Sequence, residues 1–313
     1  MIYQTILNVE LRQFNKINKV YQNLIQNIQK KVIGNEFKIK ISVATILSGG
    51  HILIEDLPGT GKTTFAKSLT SAMNLKFKRI QFTSDLLPSD IVGYTFLKKD
   101  EFVINKGPIF TNIVLADELN RASPKTQSAF LESMEEKTVT IDKETFKLPE
   151  PFSVIATQNP SDLSGTSLLP ESQLDRFTIS FSLEELNKDQ RIKLLKNQEE
   201  ILDDKSDFKF EENIKEIKSV NINDNVIEYL DSISEFIKNN YNNTHISPRC
   251  LKQTINLAKS LCLINSSEYV TYQEIKDVVP YVLRHRLNIV EKNEFFNFIK
   301  NEILNKVPLP DDK

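Results

Sequence analysis

The stretch that decides the fold is Ile52–Leu69, which reads ILIEDLPGTGKTTFAKSL. It begins with apolar residues typical of a buried strand, and the residues after Gly61 have the spacing of a helix. Between them lies the segment Gly59–Thr63, GTGKT. The backbone N–H groups of such a loop can surround phosphate oxygens, and the start of the helix adds partial positive charge. The sequence therefore predicts a phosphate-binding loop between a strand and a helix.

The predicted loop departs from the general pattern G-x-x-x-x-G-K-[ST] at one position, because Asp56 stands where the pattern has glycine. The alternative is an ordinary turn that contains glycine and lysine, but the flanking strand and helix favour the phosphate loop. We expect Lys62 to reach the β- and γ-phosphates of a nucleotide, and Thr63 to bind Mg²⁺ through its hydroxyl. The predicted nucleotide-binding residues of the loop are Pro58, Gly59, Thr60, Gly61, Lys62, Thr63 and Thr64.

Apolar runs alternate with helical patterns in the first part of the chain and stop after Glu184. This alternation predicts an α/β domain with a parallel, doubly wound sheet over residues 1–183, which includes an N-terminal helix at 8–31, and a smaller all-helical domain over 184–313. The predicted strands are His51–Glu55, Phe77–Phe82, Asn112–Ala116, Phe152–Thr157 and Arg176–Phe181. The predicted helices of the second domain are 187–202, 224–240, 248–264, 272–289 and 292–305.

Two acidic residues, Asp117 and Glu118, follow the third predicted strand. Ligands of open parallel sheets lie at the carboxyl ends of the strands. There Asp117 can hold Mg²⁺ through its water shell, and Glu118 can act as general base toward the attacking water. A strand that ends in Asp-Glu is also compatible with a solvated turn. The phosphate loop earlier in the chain favours the catalytic interpretation.

Composition limits the classes of protein to consider. The 313 residues include 40 Lys and Arg against 42 Asp and Glu, a net charge of −2, which disfavours nucleic acid as a general partner. Two cysteines exclude a disulfide scaffold. The N-terminus lacks the apolar region of a signal peptide, and no apolar run approaches the roughly 20 residues of a membrane span. These features predict a cytoplasmic protein.

Five ordered motifs resemble those of the MoxR-type AAA+ ATPases, from about Val32 to about Leu287. They are RIQFTSDLLPSDIVGY (Arg79–Tyr94), ADELNRASPKTQSAFLESMEE (Ala116–Glu136), VIATQNP (Val154–Pro160), LPESQLDRF (Leu169–Phe177) and SPR (Ser247–Arg249). The resemblance implies a five-stranded parallel sheet sandwiched by helices, a helical lid, and ATP with Mg²⁺ as ligands.

The resemblance also implies roles for three further residues. Asn159 matches a polar sensor that hydrogen-bonds the γ-phosphate and the attacking water; the alternative is a simple Asn-Pro turn. Arg176 matches an arginine finger that acts on the nucleotide of a neighbouring subunit, so a ring is expected, with a hexamer favoured; the alternative is an ion pair with Asp175 or Glu171. Arg249 matches a second sensor that meets the nucleotide from the lid; the alternative is a surface ion pair.

The family also places the adenine against backbone where this chain has Ile33 and Gly34, and Arg121 could face the subunit interface. Two insertions, Ser84–Pro108 and Lys137–Leu148, each read as a hairpin. In this clade such hairpins resemble the parts that contact a remodelled partner, and the alternative is edge structure without a partner.

Three functions remain open from the sequence. The first is a ring ATPase that remodels or matures partner proteins, whose usual partners in this family carry a von Willebrand factor A domain. The second is a DNA-remodelling motor, which the near-neutral charge disfavours. The third is a nucleotide-gated switch with little turnover, which the presence of Lys62, Asp117 and Glu118 disfavours.

Overall fold

The computed structural model describes residues 19–56, 59–159, 169–196, 208–241, 244 and 246–310. Pro58 and the outer parts of the helices predicted at 8–31 and 187–202 lie outside these residues. The strands are β1 (Ile52–Glu55), β2 (Phe77–Gln81), β3 (Gly93–Lys98), β4 (Glu101–Lys106), β5 (Ile113–Asp117), β6 (Thr138–Ile141), β7 (Glu144–Lys147), β8 (Ser153–Gln158), β9 (Ile179–Phe181), β10 (Asn221–Ile222) and β11 (Tyr269–Val270).

The helices are interleaved with these strands and follow them to the end of the chain. They are α1 (residues 19–31), α2 (Glu36–Leu47), α3 (Lys62–Ala72), α4 (Pro88–Val92), α5 (Pro124–Glu136), α6 (Glu171–Leu174), α7 (Lys188–Lys196), α8 (Phe210–Ser219), α9 (Asp224–Asn240), α10 (Pro248–Ile264), α11 (Tyr272–Leu283) and α12 (Phe295–Phe298). A 3₁₀ turn at Leu119–Arg121 and a π-helical turn at Ile299–Leu304 complete the set.

Five strands form one parallel sheet in the order β2–β5–β8–β1–β9, which confirms the predicted α/β fold. Successive residues of a strand point to opposite faces, and both faces are buried. In β1, Ile52 and Ile54 pack with α2, α3 and the helical domain, whereas Leu53 packs with α5 on the other face. The central strands therefore read as continuous apolar runs, which is why the sequence located them.

The fifth strand is shorter than predicted, because Arg176 and Phe177 are not part of it. Their backbone N–H groups donate to the carbonyl oxygens of Gln173 and Leu174 in a turn after α6. The strand begins only at Ile179. Arg176 therefore lies in a turn before the strand, which frees its side chain from the packing of the sheet.

Both predicted hairpins are present. β3 pairs with β4 around Lys99 and Asp100, and β6 pairs with β7 around Asp142 and Lys143. Lys99 and Asp100 both have positive φ values, 50° and 68°, as expected for a two-residue hairpin turn. Lys106 of β4 lies over the rings of Phe110 and Phe146, 4.9 and 4.7 Å from their centroids, and so links the first hairpin to the second.

The second domain is helical, as predicted, with two additions. The helix α8 was not predicted, and β10 and β11 form a short parallel pair. The helix predicted at 272–289 ends at Leu283, because Arg284 and Arg286 turn toward the sheet. β9 ends at Phe181 and α7 begins at Lys188, and the boundary between residues 183 and 184 stays a prediction. Among the described residues, no helix has the length and apolar character needed to cross a membrane.

Candidate nucleotide site

The predicted phosphate loop connects β1 to α3. Gly59 and Gly61 have φ values of 84° and 86°, a conformation that glycine adopts at no steric cost. No described atom lies within 4 Å of the position that a Cβ would take at either glycine. The N-cap residue of α3 is Gly61, which has no side chain to cap the helix, and the first turn of a helix is a place where anions bind. This open loop fits a phosphate group.

Lys62 and Thr63 begin α3, and both are partly exposed. The ammonium group of Lys62 donates to the backbone carbonyl oxygen of Asp56, 3.0 Å away. That contact brings the lysine side chain back across the loop to the residue that follows β1. Thr63 supplies a hydroxyl oxygen, a ligand type that suits Mg²⁺.

A cavity of about 480 Å³ adjoins the loop. Its lining includes Gly59, Gly61 and Thr64, together with Ile33 and Leu183. Its volume falls in the range of small-ligand sites. Ile33 is therefore placed with the loop, as expected. Gly34 instead lines a neighbouring cavity of about 250 Å³, so the structure does not bring it into the same space.

Asp117 ends β5 and is buried, with two partners on neighbouring strands. The hydroxyl of Thr157 donates to Oδ1 at 2.6 Å. Arg79 donates to Oδ2 through Nε at 3.1 Å and Nη2 at 2.6 Å. These contacts fix the carboxylate at the edge of the sheet where β1 also ends. The donor set of one carboxylate and one hydroxyl fits a Mg²⁺ ion that takes its remaining ligands from phosphates and water.

Glu118 follows Asp117 in a left-handed backbone conformation, with φ 57° and ψ 46°. Such a conformation is strained for a non-glycine residue, and it persists only where the surroundings hold it. Here the N–H of Glu118 donates to the Thr157 hydroxyl at 2.9 Å. Gln81 donates to its Oε2 at 2.8 Å, and Arg121 lies 3.3 Å from the same oxygen. The side chain is thereby held beside Asp117 as a separate carboxylate.

Asn159 directly follows the last residue of β8 and is half-buried. β8 lies between β1 and β5, so its end is flanked by the phosphate loop on one side and Asp117 on the other. Neighbouring strands in a sheet are about 4.8 Å apart. Asn159 therefore stands at the tip of the fourth sheet strand in chain order, between the loop and the acidic pair.

Arg176 and Arg249 lie together and share one carboxylate. Arg176 Nε is 3.4 Å from Glu135 Oε2, and Arg249 contacts the other oxygen of Glu135. Arg249 Nη1 also lies 4.0 Å from Asp175. The structure does not bring Arg249 to the cavity of the phosphate loop of its own chain. The Ser247 hydroxyl, which caps α10, donates to Asp175 and holds the start of that helix at the turn after α6.

A separate cavity of about 240 Å³ includes both arginines and Glu135 in its wall, and none of the described residues of the phosphate loop. Arg176 Nη1 is buried there without a hydrogen bond to any described group. Two guanidinium groups thus meet at one shared carboxylate in this cavity, with Asp175 as a second acidic neighbour of Arg249.

Comparison with known proteins agrees with these observations. A family model described as "ATPase family associated with various cellular activities (AAA)" matches residues 51–179, and one described as "AAA lid domain" matches 235–306. The chain is 33% identical to Chaperone MoxR1 of Mycobacterium tuberculosis, over 85% of this chain and 75% of that protein. The chain belongs to the MoxR-type AAA+ ATPases.

Two further relatives cover this MoxR-type ATPase almost end to end. The uncharacterised protein YeaC of Bacillus subtilis is 38% identical, over 91% of this chain and 93% of YeaC. A crystal structure from Cytophaga hutchinsonii, of a protein assigned as an ATPase, is 32% identical with a TM-score of 0.84. It covers 97% of this chain and 99% of that one.

Sequence reasoning missed four residues of this MoxR-type site: Arg79, Gln81, Thr157 and Glu135. Arg79 and Gln81 alternate on β2, and Gln81 pairs in register with Asp117. The sequence did contain a signal for these two residues, because they are polar and lie at alternate positions near the carboxyl end of a strand. Glu135 gave no such signal, because an acidic residue near the end of an amphipathic helix is ordinary.

Proposed function

We propose that this protein hydrolyses ATP with Mg²⁺, in a ring whose subunits complete one another's active sites, and uses the cycle to remodel partner proteins. Membership of an ATPase family supports nucleotide binding. The observation that carries the hydrolytic part is the acidic pair: Asp117 and Glu118 are held apart by one Thr157 hydroxyl, with Glu118 in a strained conformation. Strain of this kind is maintained at sites where geometry matters.

In this proposal the residues of one chain have separate roles in hydrolysis. The loop N–H groups and Lys62 hold the phosphates, and Asn159 orients the attacking water. Glu118 takes the proton of that water at its carboxylate. Mg²⁺, held by Thr63 and Asp117, would neutralise charge on the phosphate oxygens.

The arginine pair supports a ring. Arg176 and Arg249 line a different cavity from the phosphate loop. The arrangement therefore does not direct them to a nucleotide bound in the loop of their own chain. A head-to-tail ring places each arginine pair against the loop of the next subunit. We propose a hexamer, in which the charge on the transferred phosphoryl group is stabilised from the neighbour.

Steady-state ATPase measurements test the hydrolytic proposal. Lys62→Ala removes the cation from the loop and should abolish nucleotide binding, whereas its control on the same helix, Lys67→Ala, changes an exposed residue and should bind normally. Glu118→Gln should bind ATP and turn it over very slowly, with Glu132→Gln of α5 as its control. Normal hydrolysis by Glu118→Gln would contradict the assignment of the base.

The first hairpin supports partner binding. It exposes Tyr94, Leu97 and Phe102, the last with 82% of its surface accessible. Exposed apolar groups of this size, clustered on one element, are typical of interaction sites. We propose that this hairpin contacts the remodelled protein, and that a protein with a von Willebrand factor A domain is that partner. A relative carries the name Chaperone MoxR1, which agrees with such a role.

The partner proposal has its own test. A protein with a von Willebrand factor A domain should stimulate the ATPase of the wild type. Phe102→Ser should keep the basal rate and lose the stimulation, because the side chain packs against little in its own chain. If single-stranded DNA stimulated the ATPase in a salt-sensitive way and the partner did not, the DNA-motor alternative would replace this one.

A further inference from the structure

Glu55 is the last residue of β1, directly before the segment that leads into the phosphate loop. Only 1% of its side chain is exposed, and its carboxylate contacts side chains from three parts of the fold. Gln158 at the end of β8 donates to Oε1 at 2.7 Å, and Ser180 of β9 donates to Oε2 at 3.0 Å. Arg284 and Lys292, both from the helical domain, supply the charges that neutralise it.

Arg284 caps the end of α11 and is almost fully buried, with 4% of its side chain exposed. Its Nη1 donates to Glu55 Oε2 at 3.1 Å, and its Nη2 donates to the Ser182 hydroxyl at 2.7 Å. That hydroxyl in turn donates to the backbone carbonyl oxygen of Glu55 at 2.8 Å. One guanidinium group therefore holds both the side chain and the backbone of the residue before the loop.

The Glu55 carboxylate is also connected to the proposed sensor residue Asn159. It accepts a hydrogen bond from Gln158, which immediately precedes Asn159 in the chain. Burial lowers the pKa of Arg284, and the charges of Glu55 and Asp56 oppose that shift, so the guanidinium stays charged against its carboxylate. Separating a buried pair leaves two uncompensated charges, which is strongly unfavourable. The helical domain cannot leave this position unless Glu55 moves with it or the pair breaks.

We propose that Glu55 and Arg284 couple nucleotide binding at the phosphate loop to the position of the helical domain. Arg284 is a positioning residue in this proposal, since it acts on the loop through Glu55 and not on the nucleotide. The inference rests on the nucleotide site proposed above, and adds a route by which the occupied loop is sensed at α11. Such coupling is reciprocal. If bound nucleotide stabilises one position of the helical domain, that position raises the affinity for nucleotide by the same factor.

Arg286 provides the matched control, because it also follows α11 and is also a buried arginine that donates to a carboxylate. Its side chain is also 4% exposed, and it donates to Asp175 at 2.8 Å and to the carbonyl oxygen of Phe177 at 2.7 Å. Among the described residues it makes no hydrogen bond to Glu55 or to the loop. Arg286→Lys therefore disturbs the junction without touching the proposed route.

The test uses the full chain and a fluorescent ADP derivative. ADP affinity is measured for the wild type, Glu55→Gln, Arg284→Lys, the double variant and Arg286→Lys. Lys292→Met is measured as well, because it changes a half-exposed partner of Glu55 and should fold even if the variants at buried residues do not. Amide hydrogen exchange along α11 is then measured with and without ADP. Thermal unfolding is recorded for all, since a purely structural role would lower the stability of Arg284→Lys and Arg286→Lys alike.

We expect ADP to slow exchange along α11 in the wild type and in Arg286→Lys. Glu55→Gln and Arg284→Lys should bind ADP about tenfold more weakly and lose that protection, and the double variant should be no weaker than either alone. Lys292→Met should lose part of both effects. Equal losses in Arg284→Lys and Arg286→Lys, or additive losses in the double variant, would overturn the coupling.

These readouts separate the two proposals, because none of them requires hydrolysis. A wild type that binds ADP but hydrolyses no ATP overturns the proposed activity, while the coupling is still decided by the ADP response. A wild type that binds no ADP overturns both.

Discussion

Thr157 donates its hydroxyl proton to Asp117 across 2.6 Å, from the strand beside the one that Asp117 ends. The same oxygen accepts the backbone N–H of Glu118 at 2.9 Å. One buried hydroxyl thus sets the spacing of the two carboxylates, which we propose as the metal ligand and the general base. In that proposal Thr157 acts only by positioning the two groups.

Thr157→Val should therefore lower kcat by about one to two orders of magnitude, because small displacements of a catalytic group are costly. Valine has the shape of threonine without the hydroxyl, and it leaves the N–H of Glu118 unpaired, which should cost about 1–3 kcal/mol of stability. Nucleotide affinity should be unchanged, since the loop is untouched. Rates and affinities measured below the unfolding temperature check this; an unchanged kcat would contradict it.

Gln81 restrains the proposed base, because its amide donates to Glu118 Oε2 at 2.8 Å. That donor holds the carboxylate toward β2. Gln81→Leu should free the carboxylate and raise the basal turnover by about tenfold to a hundredfold, because a hydrogen bond to a charged group is worth about 1.5–3 kcal/mol. Lys78→Leu, an exposed change on the same strand, is the control. A fall in turnover for Gln81→Leu would instead show that the contact orients the base productively.

Much of this site could be predicted from the sequence, because its elements are local. The loop Gly59–Thr63 and the pair Asp117–Glu118 each lie within a few residues of one strand end, so spacing alone revealed them. The partners of the pair are different. Arg79 and Thr157 are 38 and 40 residues from Asp117 along the chain, and they meet it through the register of three strands. Local patterns carry no information about that register.

The position of Arg249 depends on something still less local, the packing of the helical domain. The helix predicted at 248–264 is present, and Ser247 caps its first turn. Which anion that first turn would meet could not be read from the sequence, because it is decided by the docking of α10 against Glu135 and Asp175. The structure thus pairs Arg249 with Arg176, and not with the loop of its own chain.

This pairing makes a prediction about mixed rings. Arg249→Ala subunits and Lys62→Ala subunits should each be inactive alone. When they are mixed, an interface with the intact loop of one and the intact arginine of the other becomes complete. About a quarter of the interfaces in an equal, random mixture have this composition. Activity should rise toward that fraction, and Arg176→Ala should behave in the same way with Lys62→Ala.

The mixture distinguishes action on the neighbour from action within one chain. If Arg249 served the loop of its own chain, no interface of the mixture would contain a complete site, and turnover would stay at the level of the separate variants. Rescue with Arg176→Ala but not with Arg249→Ala would therefore assign the two arginines to different nucleotides. Sedimentation of the mixture in the presence of ADP checks that joint rings form.

The last prediction concerns stability and pH, and it rests on His51. The ring is buried, with Nε2 3.2 Å from the carbonyl oxygen of Met134, while Nδ1 accepts the N–H of Val154 at 3.0 Å. A second proton on Nδ1 would face that N–H. Burial lowers the pKa of His51 to about 4, against 6.5 in the unfolded chain. Between pH 6.5 and about pH 4 the unfolded chain binds a proton at this histidine and the folded chain does not. The free energy of unfolding therefore decreases as the pH falls through this range.

Between those limits the loss approaches about 1.4 kcal/mol per pH unit. His51→Gln keeps a neutral donor and acceptor but has no proton to gain, so this slope should disappear from the variant. Urea unfolding at pH 7.5 and pH 5.5 measures it: the wild type should lose about 1.3 kcal/mol more than His51→Gln over that interval. Carboxylates and the buried His285 contribute equally to both proteins and cancel in the comparison. Parallel losses in the two proteins would show that His51 does not enter the pH dependence.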